Sequence, residues 1–121
     1  MVTKLEVTPI GKPRMTQRDK WKKRPAVVRY YEYKDALNLL VKGPLPERLN
    51  VVFYIPMPSS WSKKKKAEMC LQPHKNKPDI DNLIKAFTDC LAVEDSYIHE
   101  VHAWKIWDIE GKIIFGEITG E

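Results

Sequence analysis

The chain has 121 residues, 43% of them hydrophobic and 31% charged, enough for one domain with a modest core and too few for two. Its formal charge is +5, unevenly placed: residues 11–34 hold nine basic and two acidic side chains, residues 60–78 six and one, and residues 89–121 two and eight. No apolar run nears the roughly 18 residues of a membrane span, the N-terminus lacks a secretory core, and two cysteines (Cys70 and Cys90) outside any Cys/His cluster exclude a zinc finger or disulfide scaffold.

In chain order, Leu5 to Ile10 alternates apolar and polar residues and predicts a first strand. Gly11 to Pro25 is basic, with almost no aliphatic residues, and predicts a long loop of the kind usually kept for function. Tyr30 to Lys42 has helical spacing and stops at Gly43-Pro44. Leu49 to Ile55 is a β-branched and aromatic strand closed by Pro56 and Pro58. Ser59 or Ser60 then caps a short helix running from Trp61 to about Cys70. After a basic loop from Gln72 to Pro78, Ile80 to Leu91 forms a second clear amphipathic helix. Tyr97 to Asp108 and Lys112 to Thr119 read as strands joined in a hairpin at Glu110-Gly111. Tyr97 to Asp108 is apolar on both faces, which makes that strand either central or part of a dimer interface. The expected fold is α+β (mixed α/β): a small mixed sheet of about four strands with helices packed on it, a single domain over residues 1–121.

The chemistry concentrates in Lys77-Pro78-Asp79-Ile80-Asp81-Asn82-Leu83-Ile84-Lys85 and, beyond the helix, Glu94-Asp95-Ser96. In an extended entry to the helix, Asp79 and Asp81 point to one side and can converge on one cation. Lys85 lies one turn after Asp81, on the same helix face. An aspartate before a helix is most often a cap, and Asp81–Lys85 could be an ordinary i,i+4 pair. Two adjacent carboxylates repel each other, however, and inside a phosphate-binding surface they call for a cation such as Mg2+ to bridge to the phosphate. That combination points to metal-assisted phosphodiester cleavage. Glu94-Asp95 supplies a third ligand if the chain folds back.

The basic segments frame this site. Lys12, Arg14, Arg18, Lys20, Lys22, Lys23 and Arg24 surround Trp21, which either stacks on a base or pins its loop. Lys63, Lys64, Lys65 and Lys66 are either a phosphate-binding face or a merely solvated one. Lys75 and Lys77 continue the run, and His74 beside them is placed to touch phosphate. His99 and His102 fall on opposite sides of their strand, so they share no metal.

The stretch from Lys77 to Lys85, with Glu94-Asp95-Ser96 after the helix and Gly11-Lys12-Pro13-Arg14-Met15-Thr16 near the start, resembles the RusA family of Holliday junction resolvases, in its phage or prophage form. The resemblance implies a Mg2+-dependent homodimer, Mn2+ substituting, that cuts four-way DNA junctions by paired symmetric nicks in recombination and repair. It implies Asp79, Asp81 and Asp95 as metal-binding acids and Lys85 as the catalytic lysine. Glu94 departs from the family's usual pair of aspartates, while Asp95 keeps the second. The expected location is the cytoplasm of a bacterial or phage-infected cell, with branched DNA as partner and no membrane. The alternatives are a non-catalytic junction-binding architectural protein and a less selective nuclease for branched DNA.

Overall fold

The computed structural model describes residues 2–14, 24–91, 94 and 96–119. Its elements are β1 (Val2–Leu5), α1 (Pro25–Leu40), β2 (Arg48–Pro56), α2 (Lys63–Met69), α3 (Ile80–Leu91), β3 (Glu100–Asp108) and β4 (Lys112–Glu117). The strands form one mixed sheet in the order β1-β4-β2-β3, in which β2 runs parallel to β3 and β4 runs antiparallel to β1 and β2.

The most apolar strand takes a central place. Leu49, Val51 and Phe53 of β2 are fully buried, and with Ile55 they alternate along one face. Against that face pack Leu83, Ala86 and Phe87 of α3 and Tyr30, Tyr33 and Leu37 of α1. The Phe87 ring meets Phe53 edge-on at 6.0 Å and Phe115 at 5.4 Å, so Phe87→Ala would cost about 3–5 kcal/mol. The opposite face stays partly open: Val52, Tyr54, Ile106 and Ile114 are only partly buried and Trp104 is 50% exposed.

Several boundaries differ from expectation. The first strand ends at Leu5, because β4 starts at Lys112 and Leu5↔Ile113 is the last pair of the ladder. Val7 and Ile10 still pack on the core. Helix α1 begins at Pro25, inside the expected loop; proline's missing N–H and fixed φ suit the first helical position. Ser62, rather than Ser59 or Ser60, caps α2, its hydroxyl accepting from the Lys65 N–H at 3.1 Å.

The hairpin expected at Glu110-Gly111 does not form. β2 lies between β3 and β4, and residues 109–111 cross over its end. The Asp108 carboxylate holds that crossing: it accepts from the Ile109 N–H at 2.7 Å and pairs with Lys112 at 3.0 Å. A Cβ at Gly111 would strike Thr8, so the crossing needs glycine there. β3 is consequently an edge strand, not a central one. Part of its outer edge is taken by the chain after α2, through Leu71 N–H to the Trp107 carbonyl, Trp107 N–H to the Gln72 carbonyl and His74 N–H to the Lys105 carbonyl. Both cysteines are free thiols, and among the described residues no helix is long and apolar enough to cross a membrane.

Candidate active site

The N-terminal end of α3 is built by its own amphipathicity. Leu83, Ala86, Phe87 and Cys90 are buried against the sheet, which turns Asp81 and Lys85 outward to solvent. Asp79 caps the helix through its backbone, its carbonyl accepting from the Leu83 N–H at 3.1 Å. Asp81 therefore sits inside the first helical turn and not in an extended run with Asp79. The Asp79 side chain is 59% exposed and meets the Lys77 ammonium at 3.0 Å. Among the described residues Asp81 has no ion-pair or hydrogen-bond partner, and it makes no bridge to Lys85. The ordinary i,i+4 pair is thus absent, and a free carboxylate stands where the helix dipole favours negative charge.

Two contacts fix the surroundings of these acids. Lys105 of β3 donates from its ammonium to the carbonyls of Asn76 (2.6 Å) and Pro78 (2.8 Å), immediately before Asp79. Nothing singled Lys105 out in the sequence, yet a signal was present: it is the one cation between Ala103 and Trp107 on the inward-facing positions of β3, and a lysine there needs acceptors. On the other side, the Asn82 amide donates to the Lys12 carbonyl at 3.3 Å, and the Lys12 ammonium reaches Asp89 at 2.8 Å. Residues 11–13 thus lie along α3. The approach is close enough that a Cβ at Gly11 would come 2.5 Å from the Asn82 amide nitrogen.

A cleft of about 450 Å³ opens between this segment, α1 and the entry to α3. Arg29 and Lys77 line it beside Gly11, Pro78 and Asn82, so cations flank the carboxylate end of the helix. Arg29 falls between the loop expected to end at Pro25 and the helix expected from Tyr30, and the earlier start of α1 is what brings it to the cleft.

Other expected site residues fall elsewhere. Lys63, Lys64 and Lys65 are exposed on α2 with Lys66 partly so, and Lys75 is exposed on the loop that follows. Arg24 donates to the Arg14 carbonyl at 2.7 Å. Asp95, Arg18, Lys20, Lys22 and Lys23, with Trp21, lie outside the described residues. Glu94 accepts from the Ser96 N–H at 3.0 Å. His74 is not on the surface: it is 4% exposed, with its ring 4.3 Å from that of Trp107. His99 and His102 instead reach Glu47 (3.6 Å) and Glu100 (3.0 Å).

Among the described residues no group of three His, Cys, Asp or Glu gathers closely enough to hold a metal. Asp79 and Asp81 do present hard oxygen donors to solvent, and Mg2+ is commonly held by one or two carboxylates with waters and substrate phosphate completing the shell. The donor chemistry fits that ion.

Comparison with known protein families matches residues 6–115 to endodeoxyribonuclease RusA. No curated protein and no solved structure matches the chain.

Proposed function

The chain belongs to the RusA family of endodeoxyribonucleases, and on that premise we propose that it resolves four-way DNA junctions by paired symmetric nicks that depend on Mg2+, with Mn2+ as substitute. The observation that carries the reading is the exposed Asp81, without a side-chain partner among the described residues, one turn from the exposed Lys85 and beside a cleft lined by Arg29 and Lys77. Asp79 and Asp81, joined by Asp95, would hold the ion; when bound it polarises the scissile phosphate and lowers the pKa of water. Arg29 binds phosphate beside the carboxylates without reading bases. Lys85 places a fixed positive charge where the phosphate gains negative charge. Lys105 and Asn82 hold the two chain segments that shape the cleft.

Symmetric nicking needs two sites on opposed strands, and a two-fold dimer provides them. The partly open sheet face carrying Trp104, Ile106 and Ile114 supports a homodimer, since large apolar patches are usually covered by a partner.

The test is cleavage of a labelled four-way junction beside a linear duplex of the same sequence, with and without Mg2+, using wild type and Asp81→Asn. Paired nicks in the junction alone, lowered about 10²- to 10³-fold by the substitution while binding persists, are expected. Binding without nicks in either Mg2+ or Mn2+ would make the protein an architectural binder, and equal cutting of both substrates a general nuclease.

A further inference from the structure

A second cleft, of about 430 Å³, adjoins the loop that leads into α3. Trp107 of β3 and Trp61 before α2 line it, their rings 4.8 Å apart. Trp61 is partly exposed, and the Lys65 ammonium lies 4.2 Å from its ring centre. Gln72, Lys75 and Asn76 also line the cleft, and among the described residues Glu68 is the one carboxylate in the lining. None of these groups takes part in the cleavage chemistry assigned to α3.

We infer that this cleft takes one unpaired nucleotide of the DNA strand, its base against Trp61 and its phosphate between Lys65 and Lys75. The volume suits a small ligand, within the common range of roughly 300–1,000 Å³. Indole faces bind bases of any sequence by stacking, and lysines beside them track the backbone. Gln72 and Asn76 offer both donors and acceptors to a base edge, and Glu68 accepts from an exocyclic amine. A paired base keeps both faces inside the duplex, so only an unpaired one can use the Trp61 ring. Lys65 is a long exposed side chain whose ammonium covers that ring and can swing to the phosphate.

Position adds to the argument. Asn76 is three residues from Asp79, at most about 11 Å along the chain, and Lys105 ties the Asn76 and Pro78 carbonyls together. The Asn76 side of the cleft therefore lies within about three stacked nucleotides of Asp79, at roughly 3.4 Å each. The ligand class rests on the DNA-cleaving reading above.

The experiment irradiates the full chain with a short oligothymidylate carrying 5-iodouracil and maps the cross-link by mass spectrometry. Oligothymidylate and duplex are titrated in parallel against Trp61→Ala and Trp61→Phe, and junction cleavage is measured on the same preparations. A cross-link at Trp61 is expected, with oligothymidylate binding about tenfold weaker in Trp61→Ala and largely kept in Trp61→Phe, and little change for duplex. A cross-link confined to other residues, or equal losses for oligothymidylate and duplex, overturns the inference. Because Trp61 packs on Trp107, the cross-link map needs no substitution and stands even where Trp61→Ala folds poorly. Junction cleavage without a Trp61 cross-link sinks this inference alone. A Trp61 cross-link without junction cleavage sinks the resolvase reading and leaves the nucleotide site.

Discussion

The lysines around α3 and those on α2 look alike in a charge count and behave differently in the fold. Lys12 meets Asp89 at 2.8 Å, with both side chains about one-third exposed, and Lys77 meets Asp79 at 3.0 Å. On α2, Lys63 and Lys64 have no protein partner among the described residues, and Lys65 has only the Trp61 ring. Net charge is therefore a poor guide to which residues face DNA. A cation already paired within the protein releases fewer counterions when phosphate arrives, whereas an unpaired one contributes its full share.

The largest effect that would sharpen this contrast is expected on α2. Replacing Lys63, Lys64, Lys65 and Lys66 together with Ala should weaken junction binding about 10- to 100-fold near physiological salt, and flatten the log–log salt dependence by about two to four units. Titration by anisotropy across a salt series measures both. An unchanged slope would return these lysines to a solvated face with no part in binding.

Next in size is Lys105, whose ammonium, without an acidic partner among the described residues, donates to the carbonyls of Asn76 and Pro78. Lys105→Met should lower the cleavage rate about tenfold by loosening the approach to Asp79, with junction affinity nearly kept. The Mg2+ concentration for half-maximal rate should rise as well, which a general loss of folded protein would not produce. Equal falls in rate and affinity with no Mg2+ shift would make Lys105 a stability residue only.

A smaller change should follow at Lys12. If its charge belongs to Asp89, Lys12→Met costs about 0.5–1 kcal/mol of stability and leaves junction affinity close to wild type. A several-fold loss of affinity, with the denaturant midpoint unmoved, would break the division between paired and free lysines.

These distinctions mark what was legible in the residues alone. Helix α3 was legible to its ends, 80–91, because Leu83, Phe87 and Cys90 repeat at helical spacing behind an acidic start. β2 was legible to within a residue because its apolar run is bounded by prolines. The spacing of Asp79, Asp81 and Lys85 singled out one helix end, although Asp81 inside the first turn replaces the extended geometry first assigned to it. The strand order was not legible: adjacency in sequence favours a hairpin, but burial of Val51 and Phe53 puts β2 between β3 and β4. The start of α1 was not legible either, because a proline at the end of a basic run suits a loop as well as a first helical turn, and Arg29 lies in the stretch so left unassigned. Lys105 and Asp89 act through partners 27 and 77 residues away, separations that no local pattern encodes.

His74 extends the same lesson to pH. A histidine followed by Lys75 and Lys77 looks like part of a phosphate-binding loop, but its ring is buried on Trp107 and its Nδ1 has no hydrogen-bond partner among the described residues. Burial first, and then the charge of Lys105, lower its pKa below the ordinary 6.5. The unfolded chain thus takes up a proton that the folded chain refuses. The contribution of neutral His74 to stability is complete above about pH 6.5 and is lost progressively as pH falls below it. The urea midpoint should therefore drop between pH 7 and 5, and His74→Phe, which keeps the ring contact without the titrating nitrogens, should flatten that drop. An equally steep fall in His74→Phe would assign the acid sensitivity to other groups. Asp108 is not one of them: although burial opposes it, pairing with Lys112 holds its carboxyl below the ordinary 3.8. Its contribution is present above that value and is lost only as pH falls further, so the two residues separate cleanly on the pH axis.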